Sequence, residues 1–168
     1  VAAMARWAQG GEDNRTKRFY PKLEKHALFG LGYISAQSAH STGTAIDLTL
    51  VRAPAPPVPI YDTRAVYGPC TAPAAQRAPD TSLDMGTGFD CFDTRSNTSS
   101  DAISAEQRRA RAVLLLAMRA HGFHNYFREW WHFTFGARGA SQDLRRWRIR
   151  RSRSQHAGPV PNNISVKR

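Results

Sequence analysis

The 168-residue sequence contains only two cysteines, Cys70 and Cys91. They are too few for a four-cysteine zinc site, and their wide spacing is not that of a CxxC redox pair. No stretch approaches the roughly 20 consecutive apolar residues of a membrane-spanning helix. A charged-then-apolar leader is also missing, and because the sequence opens at Val1, any targeting segment is expected upstream. There is no internal repeat, and the strand–helix–strand rhythm of a parallel sheet is absent. Acidic residues are scarce, 13 against 24 Lys and Arg, for a net charge of +11.

The excess positive charge is local. Residues 137–168 hold nine Lys or Arg and one Asp, a net +8, which leaves +3 for residues 1–136. A nearly neutral body argues against a nucleic-acid-binding domain. Only the RRWRIRRSR run carries the charge to meet nucleic acid or an anionic membrane surface. Its polar, aperiodic surroundings predict a solvated, disordered tail over 137–168. Residues 1–136 are long enough to bury a core of their own and are expected to form the single folded domain.

Within that domain, VAAMARWAQ (1–9) favours helix and stops before Gly10 and Gly11. Residues 11–32 read as loop. The spacing predicts a strand over about 44–51, where Ala45, Asp47 and Thr49 alternate with Ile46, Leu48 and Leu50. Residues 52–82 are rich in Pro and Ala and are expected to run as a surface excursion. LDMGTGFDCFD (83–93) reads as a short strand and turn. Ser104 and Gln107 form a capping-box pattern that opens a helix, with Ala110, Val113, Leu114 and Ala117 on one face and Gly122 as terminator. The aromatic density of FHNYFREWWHFTF predicts a buried strand.

Two stretches carry residues suited to chemistry. In SAHSTGTAIDLTL (38–50), His40 and Asp47 flank Gly43, whose conformational freedom lets a loop fold back beside its strand. An imidazole nitrogen and a carboxylate oxygen can then converge on one point, and zinc accepts both ligand types. In EWWH (129–132), Glu129 and His132 stand three positions apart among bulky aromatics, where burial is costly for polar groups without partners. His40, Asp47 and His132 can fill a three-ligand shell, leaving Glu129 as the carboxylate that moves a proton. On spacing alone, an alternative stays open in which Asp47 caps a turn and His132 bonds to backbone. His26, His121, His124 and His156 receive no role.

These stretches resemble a family. SAHSTGTAIDLTL matches an SxHxxGxAxD motif and EWWH an ExWH motif, with MGTGFD (85–90) as a third shared element in the right order between them. Over about residues 1–135 the sequence is similar to the VanX-type D-alanyl-D-alanine dipeptidases, relatives of the zinc D,D-carboxypeptidases. The resemblance implies an α+β fold, a small antiparallel sheet flanked by helices in the hedgehog/D,D-peptidase-like manner. It implies one zinc ion per chain held by His40, Asp47 and His132, with Glu129 as catalytic base. Ser38 and Asp90 match positions that hold the free amino end of the dipeptide. The implied reaction is zinc-dependent hydrolysis of D-Ala-D-Ala in bacterial cell-wall metabolism.

The sequence departs from the family at both ends. Family members carry an arginine in a YRP-type motif upstream of the first zinc ligand, and none precedes His40, so the chain is expected to begin after it. The basic ending also differs from the acidic, aromatic ending of relatives, which is consistent with a shifted frame or a fusion. The alternative reading is therefore a truncated or degenerate form that binds metal without turnover. A Cys70–Cys91 disulfide would pin the Pro-rich excursion beside Asp90 and favours the periplasm over the cytoplasm. Oligomeric state is not specified by any feature of the sequence.

Overall fold

The computed structural model describes residues 8–11, 14–136 and 164–167. A helical turn, α1 (Asn14–Lys17), leads through a 3-10 turn at Lys25–Ala27 to a second at Ala39–Thr42. Strands β1 (Ala45–Asp47) and β2 (Thr49–Arg52) follow, separated by Leu48 alone. After a long excursion come α2 (Ala105–Ala120), β3 (Phe123–Asn125) and β4 (His132–Phe135), and the last element is β5 (Ile164–Lys167). β1, β4 and β3 form one antiparallel sheet in that order, and β2 pairs antiparallel with β5. The mixture of one long helix and antiparallel sheet is the expected α+β class.

Several sequence expectations are refined. The strand read over 44–51 divides at Leu48, whose N–H still donates to the Trp131 carbonyl (3.1 Å) in register with β4, while the residues after it pair with β5. The chain thereby passes from one sheet to the other. The single buried strand read from FHNYFREWWHFTF is two strands joined by a turn at 126–131, because Tyr126 N–H bonds the His132 carbonyl (3.0 Å) and folds the segment on itself. The 83–93 segment, read as a short strand and turn, contains no strand: the isolated bridge of Ser82 to Val51 lies just before it, and the segment runs through turns and bends. Ala8 and Gln9 are helical, and the rest of the helix read over 1–9 lies outside the described residues. So does most of the 137–168 tail; the four residues of β5 within it form a strand, so the expectation of disorder does not extend to them.

Helix α2 starts as its sequence dictates. Ser104 accepts from Gln107 N–H, and the Gln107 side chain accepts from Ser104 N–H (2.8 Å), a complete capping box. Its buried stripe is shifted from the one expected: Arg111, Leu114, Leu115 and Met118 face inward, whereas Val113 is exposed. Hydropathy disfavours an inward arginine, but each nitrogen of this one has a partner. Its guanidinium donates to the backbone carbonyls of Met85 (2.8 Å), Asn97 (2.6 Å) and Arg95 (3.0 Å). Burial lowers the Arg111 pKa to about 10, with Asp84 opposing, so it remains charged at neutral pH. The main core packs Leu114, Leu115 and Met118 against Leu48, Leu50, Met85, Trp130, Trp131 and Phe133.

The 84–90 loop is fixed to the start of α2. Asp84 accepts from Gly86 N–H (2.9 Å), Gln107 Nε2 (2.8 Å) and Arg77 (2.7 Å). Gly86 has φ +89°, and a Cβ there would lie 2.6 Å from Ile103 Cγ2. Gly86→Ala is therefore expected to destabilise the fold by roughly 2–3 kcal/mol, combining left-handed backbone strain with overpacking. Chemical denaturation checks this; a change below about 0.5 kcal/mol would contradict the placement of the loop.

Candidate metal and catalytic site

β1 and β4 pair so that Asp47 lies directly opposite His132. In an antiparallel sheet such partners point to the same face, so this register brings a carboxylate and an imidazole together. His40 reaches them from the 3-10 turn. Ser38 caps that turn by accepting from His40 N–H (3.3 Å), and Gly43 ends it at φ +71°, the left-handed conformation glycine adopts without cost. Gly43 N–H then bonds the His40 carbonyl (3.1 Å), and the chain turns directly into β1. The turn read around Gly43 is thus present and does what the sequence suggested.

The three side chains converge. His40 Nε2 lies 3.0 Å from His132 Nδ1 and 3.3 Å from Asp47 Oδ1, and His132 Nδ1 lies 3.0 Å from Asp47 Oδ1. Three ligands bonded to zinc at about 2.0–2.2 Å in tetrahedral array stand about 3.3–3.6 Å apart, close to this triangle. Asp47 Oδ1 is buried and makes no hydrogen bond, although two ring nitrogens face it. An orphaned carboxylate oxygen between two imidazoles is the donor set of a cation site. Among the described residues, His40, Asp47 and His132 form the one such cluster of three. The alternative in which Asp47 only caps a turn does not account for this convergence.

Glu129 sits beside the triangle without completing it, its Oε2 3.8 Å from His132 Nδ1. It is buried. Burial raises its pKa to about 7; His132 pulls the other way, and the Asp47 and Asp90 carboxylates add to the rise. A carboxyl poised near neutrality can both accept and return a proton. The two tryptophans between Glu129 and His132 anchor the turn in the core. Trp130 Nε1 donates to Thr87 Oγ1 (2.9 Å), and Trp131 is almost wholly buried.

Ser38, His40, Asp47, Asp90, Glu129 and His132 all line one cleft of about 1270 Å³. Its far wall is aromatic, formed in part by Tyr33 against Phe92 with ring centroids 5.3 Å apart. Asp90 is at the rim with φ +50°. Its carboxyl is reached by water from the cleft yet surrounded by protein. Burial and the Asp47 charge hold its pKa above the usual value, against His40 and His132. Next to it, Cys91 is disulfide-bonded to Cys70, and Gly88 N–H donates to the Cys70 carbonyl (2.9 Å). The pair thus clasps the start of the Cys70 loop to the segment carrying Asp90.

The sequence reading missed Asn125 and Thr98. Asn125 donates to the carbonyls of both Glu129 (2.9 Å) and His132 (3.0 Å), and Thr98 Oγ1 donates to Asn125 Oδ1. The available signal was an amide among the aromatics of FHNYF, at a position where a half-buried side chain needs partners. His26, His121 and His124 do not join the cluster, and His156 lies outside the described residues.

Comparison with known proteins points to a peptidase family. The profile of a peptidase family described as D-Ala-D-Ala dipeptidase matches residues 76–149. That span holds Asp90, Glu129 and His132; His40 and Asp47 precede it. A D-alanyl-D-alanine dipeptidase of Enterococcus faecalis is 34% identical over 134 residues, 79% of this chain and 54% of the relative. One of Streptomyces coelicolor is 33% identical over 135 residues, 80% of this chain and 55% of the relative. One of Escherichia coli is 33% identical over 100 residues, 60% of this chain and 39% of the relative. The chain spans about half the length of the first two.

The environment of Glu129 predicts a pH-dependent effect in metal-depleted protein. A carboxyl whose folded-state pKa is raised from 4.5 to about 7 adds stability that is complete below 4.5 and lost as the pH rises through about 7. Glu129→Gln mimics the protonated form. It is expected to match wild type at about pH 4 and to exceed it at pH 8, by on the order of 3 kcal/mol. Denaturation curves in chelator at the two pH values check this; an equal difference at both would contradict the burial argument.

Proposed function

The chain is a relative of the D-alanyl-D-alanine dipeptidases, and on that footing we propose that it is a zinc-dependent hydrolase of D-Ala-D-Ala that serves bacterial cell-wall metabolism. The observation that carries this reading is the triangle of His40, Asp47 and His132 around an orphaned carboxylate oxygen, with Glu129 beside it. In this reading the three residues hold one zinc ion per chain. Zinc bound there would supply a Lewis acid for the scissile carbonyl and lower the pKa of a coordinated water.

The remaining steps belong to the protein's own side chains. Glu129, outside the ligand triangle and within 3.8 Å of His132 Nδ1, takes the proton from the attacking water and passes it to the leaving amine. Its raised pKa favours uptake of that proton, and the more basic leaving amine draws it off again. Asp90, at the rim of the same cleft, pairs with the substrate ammonium and so selects a free amino end. Ser38 spends one lone pair on His40 N–H, and the other is free for the same ammonium. The products are two molecules of D-alanine.

Location enters the same proposal. Among the described residues no helix is long and apolar enough to cross a membrane. The Cys70–Cys91 disulfide suits an oxidising compartment, and we place the enzyme in the periplasm. The substrate is a small molecule, and no nucleic acid takes part in this reading.

Metal analysis combined with a D-Ala-D-Ala hydrolysis assay tests the function. Zinc at one per chain with release of D-alanine is expected. Glu129→Ala should retain the metal and lose about 10²–10⁴-fold in turnover, whereas His132→Ala should lose the metal itself. Zinc without turnover in wild type would point to a non-catalytic metal-binding form, and undiminished hydrolysis by Glu129→Ala would refute the mechanism.

A further inference from the structure

Glu129 and His132 are brought within reach of each other by a tight turn, and the side chain of Asn125 closes that turn. Both N–H groups of its carboxamide are used, one on the Glu129 carbonyl (2.9 Å) and one on the His132 carbonyl (3.0 Å). A single planar group thus sets the separation of two backbone positions whose side chains meet in the site. The orientation of the amide is fixed by its neighbours. Reversed, it would set its oxygen against two carbonyl oxygens and leave that oxygen without a donor. As it stands, the oxygen accepts from Thr98 Oγ1, and Thr98 N–H donates to the Phe127 carbonyl (2.9 Å), so Thr98 grips the same turn at a second point.

We propose that Asn125, oriented by Thr98, is a positioning residue that holds Glu129 and His132 at their working separation. The inference rests on the reading of His132 as a metal ligand and Glu129 as the base. Asn125 touches neither the cleft's contents nor the reacting atoms; it acts through two carbonyls. Removing it does not dismantle the turn. The Glu129 carbonyl keeps a bond from His132 N–H (3.2 Å), and the His132 carbonyl keeps one from Tyr126 N–H (3.0 Å). What is lost is the common tie between them, so the turn persists with its two ends free to tilt. Groups that orient metal ligands from behind typically account for 10–100-fold in metal affinity or activity.

The test uses the full chain and Zn2+ as probe, with affinity read by competition against a chelator of known strength. Asn125→Asp keeps the shape and replaces the donor group with an oxygen. It is expected to weaken zinc binding 10–100-fold and to lower kcat for D-Ala-D-Ala with little change in KM. Thr98→Val should shift both in the same direction by less, and Thr98→Ser, which restores the hydroxyl, should behave as wild type. Val51→Ala, a destabilising change at a buried position on β2 away from the site, serves as a control and should leave zinc affinity unchanged. Zinc binding by Asn125→Asp within twofold of wild type would overturn the proposal, as would an equal loss in Val51→Ala. If Asn125→Asp does not fold, the Thr98 pair decides: equal affinities for Val and Ser variants overturn it. A wild-type chain that takes up no zinc would instead overturn the metal assignment on which the inference stands.

Discussion

Asp47 and His132 face each other across the β1–β4 pairing, and the rest of the site depends on that one register. Side chains in a strand alternate faces, so a slip by one residue would turn Asp47 away from the cleft and replace it with Ile46 or Leu48. What prevents the slip is the core beneath. Ile46 pairs with buried Phe133 on the opposite face, and Leu48 N–H is held by the Trp131 carbonyl. The hydrophobic pattern and the chemistry are thus two readouts of the same alternation: apolar residues down into the core, ligands up into the cleft.

His40 and Glu129 are attached to this register by short, rigid connections. His40 arrives through a capped turn that ends at Gly43 and runs directly into β1; Glu129 precedes β4 by two tryptophans whose rings are locked in the core. Arg111 supports the arrangement from below. It ties the backbone at Met85, Arg95 and Asn97 to α2, with its guanidinium carbon 6.0 Å from the Trp130 ring centroid. The loop leading to Asp90 and the turn carrying Glu129 therefore share one anchor on one helix.

The residues of the site were legible because their chemistry is local: a histidine, glycine and aspartate around a turn, and a carboxylate and imidazole among aromatics. The capping box of α2 was legible for the same reason, since four consecutive residues make it. Features decided by distant partners were not. Nothing in the α2 sequence marks Arg111 rather than Val113 as inward, because its burial is made tolerable by three carbonyls on other segments. The division of the strand at Leu48 follows from β2 pairing with β5, more than 100 residues later. Asn125 was passed over because an amide states its role only once the two carbonyls it joins are in place.

Arg111 also sets how the site's frame responds to its surroundings. Its buried charge is met by dipoles of the backbone and, among the described residues, by no direct ion pair, whereas Lys22–Asp93 and Arg77–Asp84 pair charges with at least one exposed partner. Dissolved ions screen exposed pairs and have little purchase on a buried cation held by carbonyls. The periphery of the cleft is accordingly responsive to ionic strength while its foundation is not, and the spacing of the reactive groups is insulated from the salt of whatever medium the protein meets.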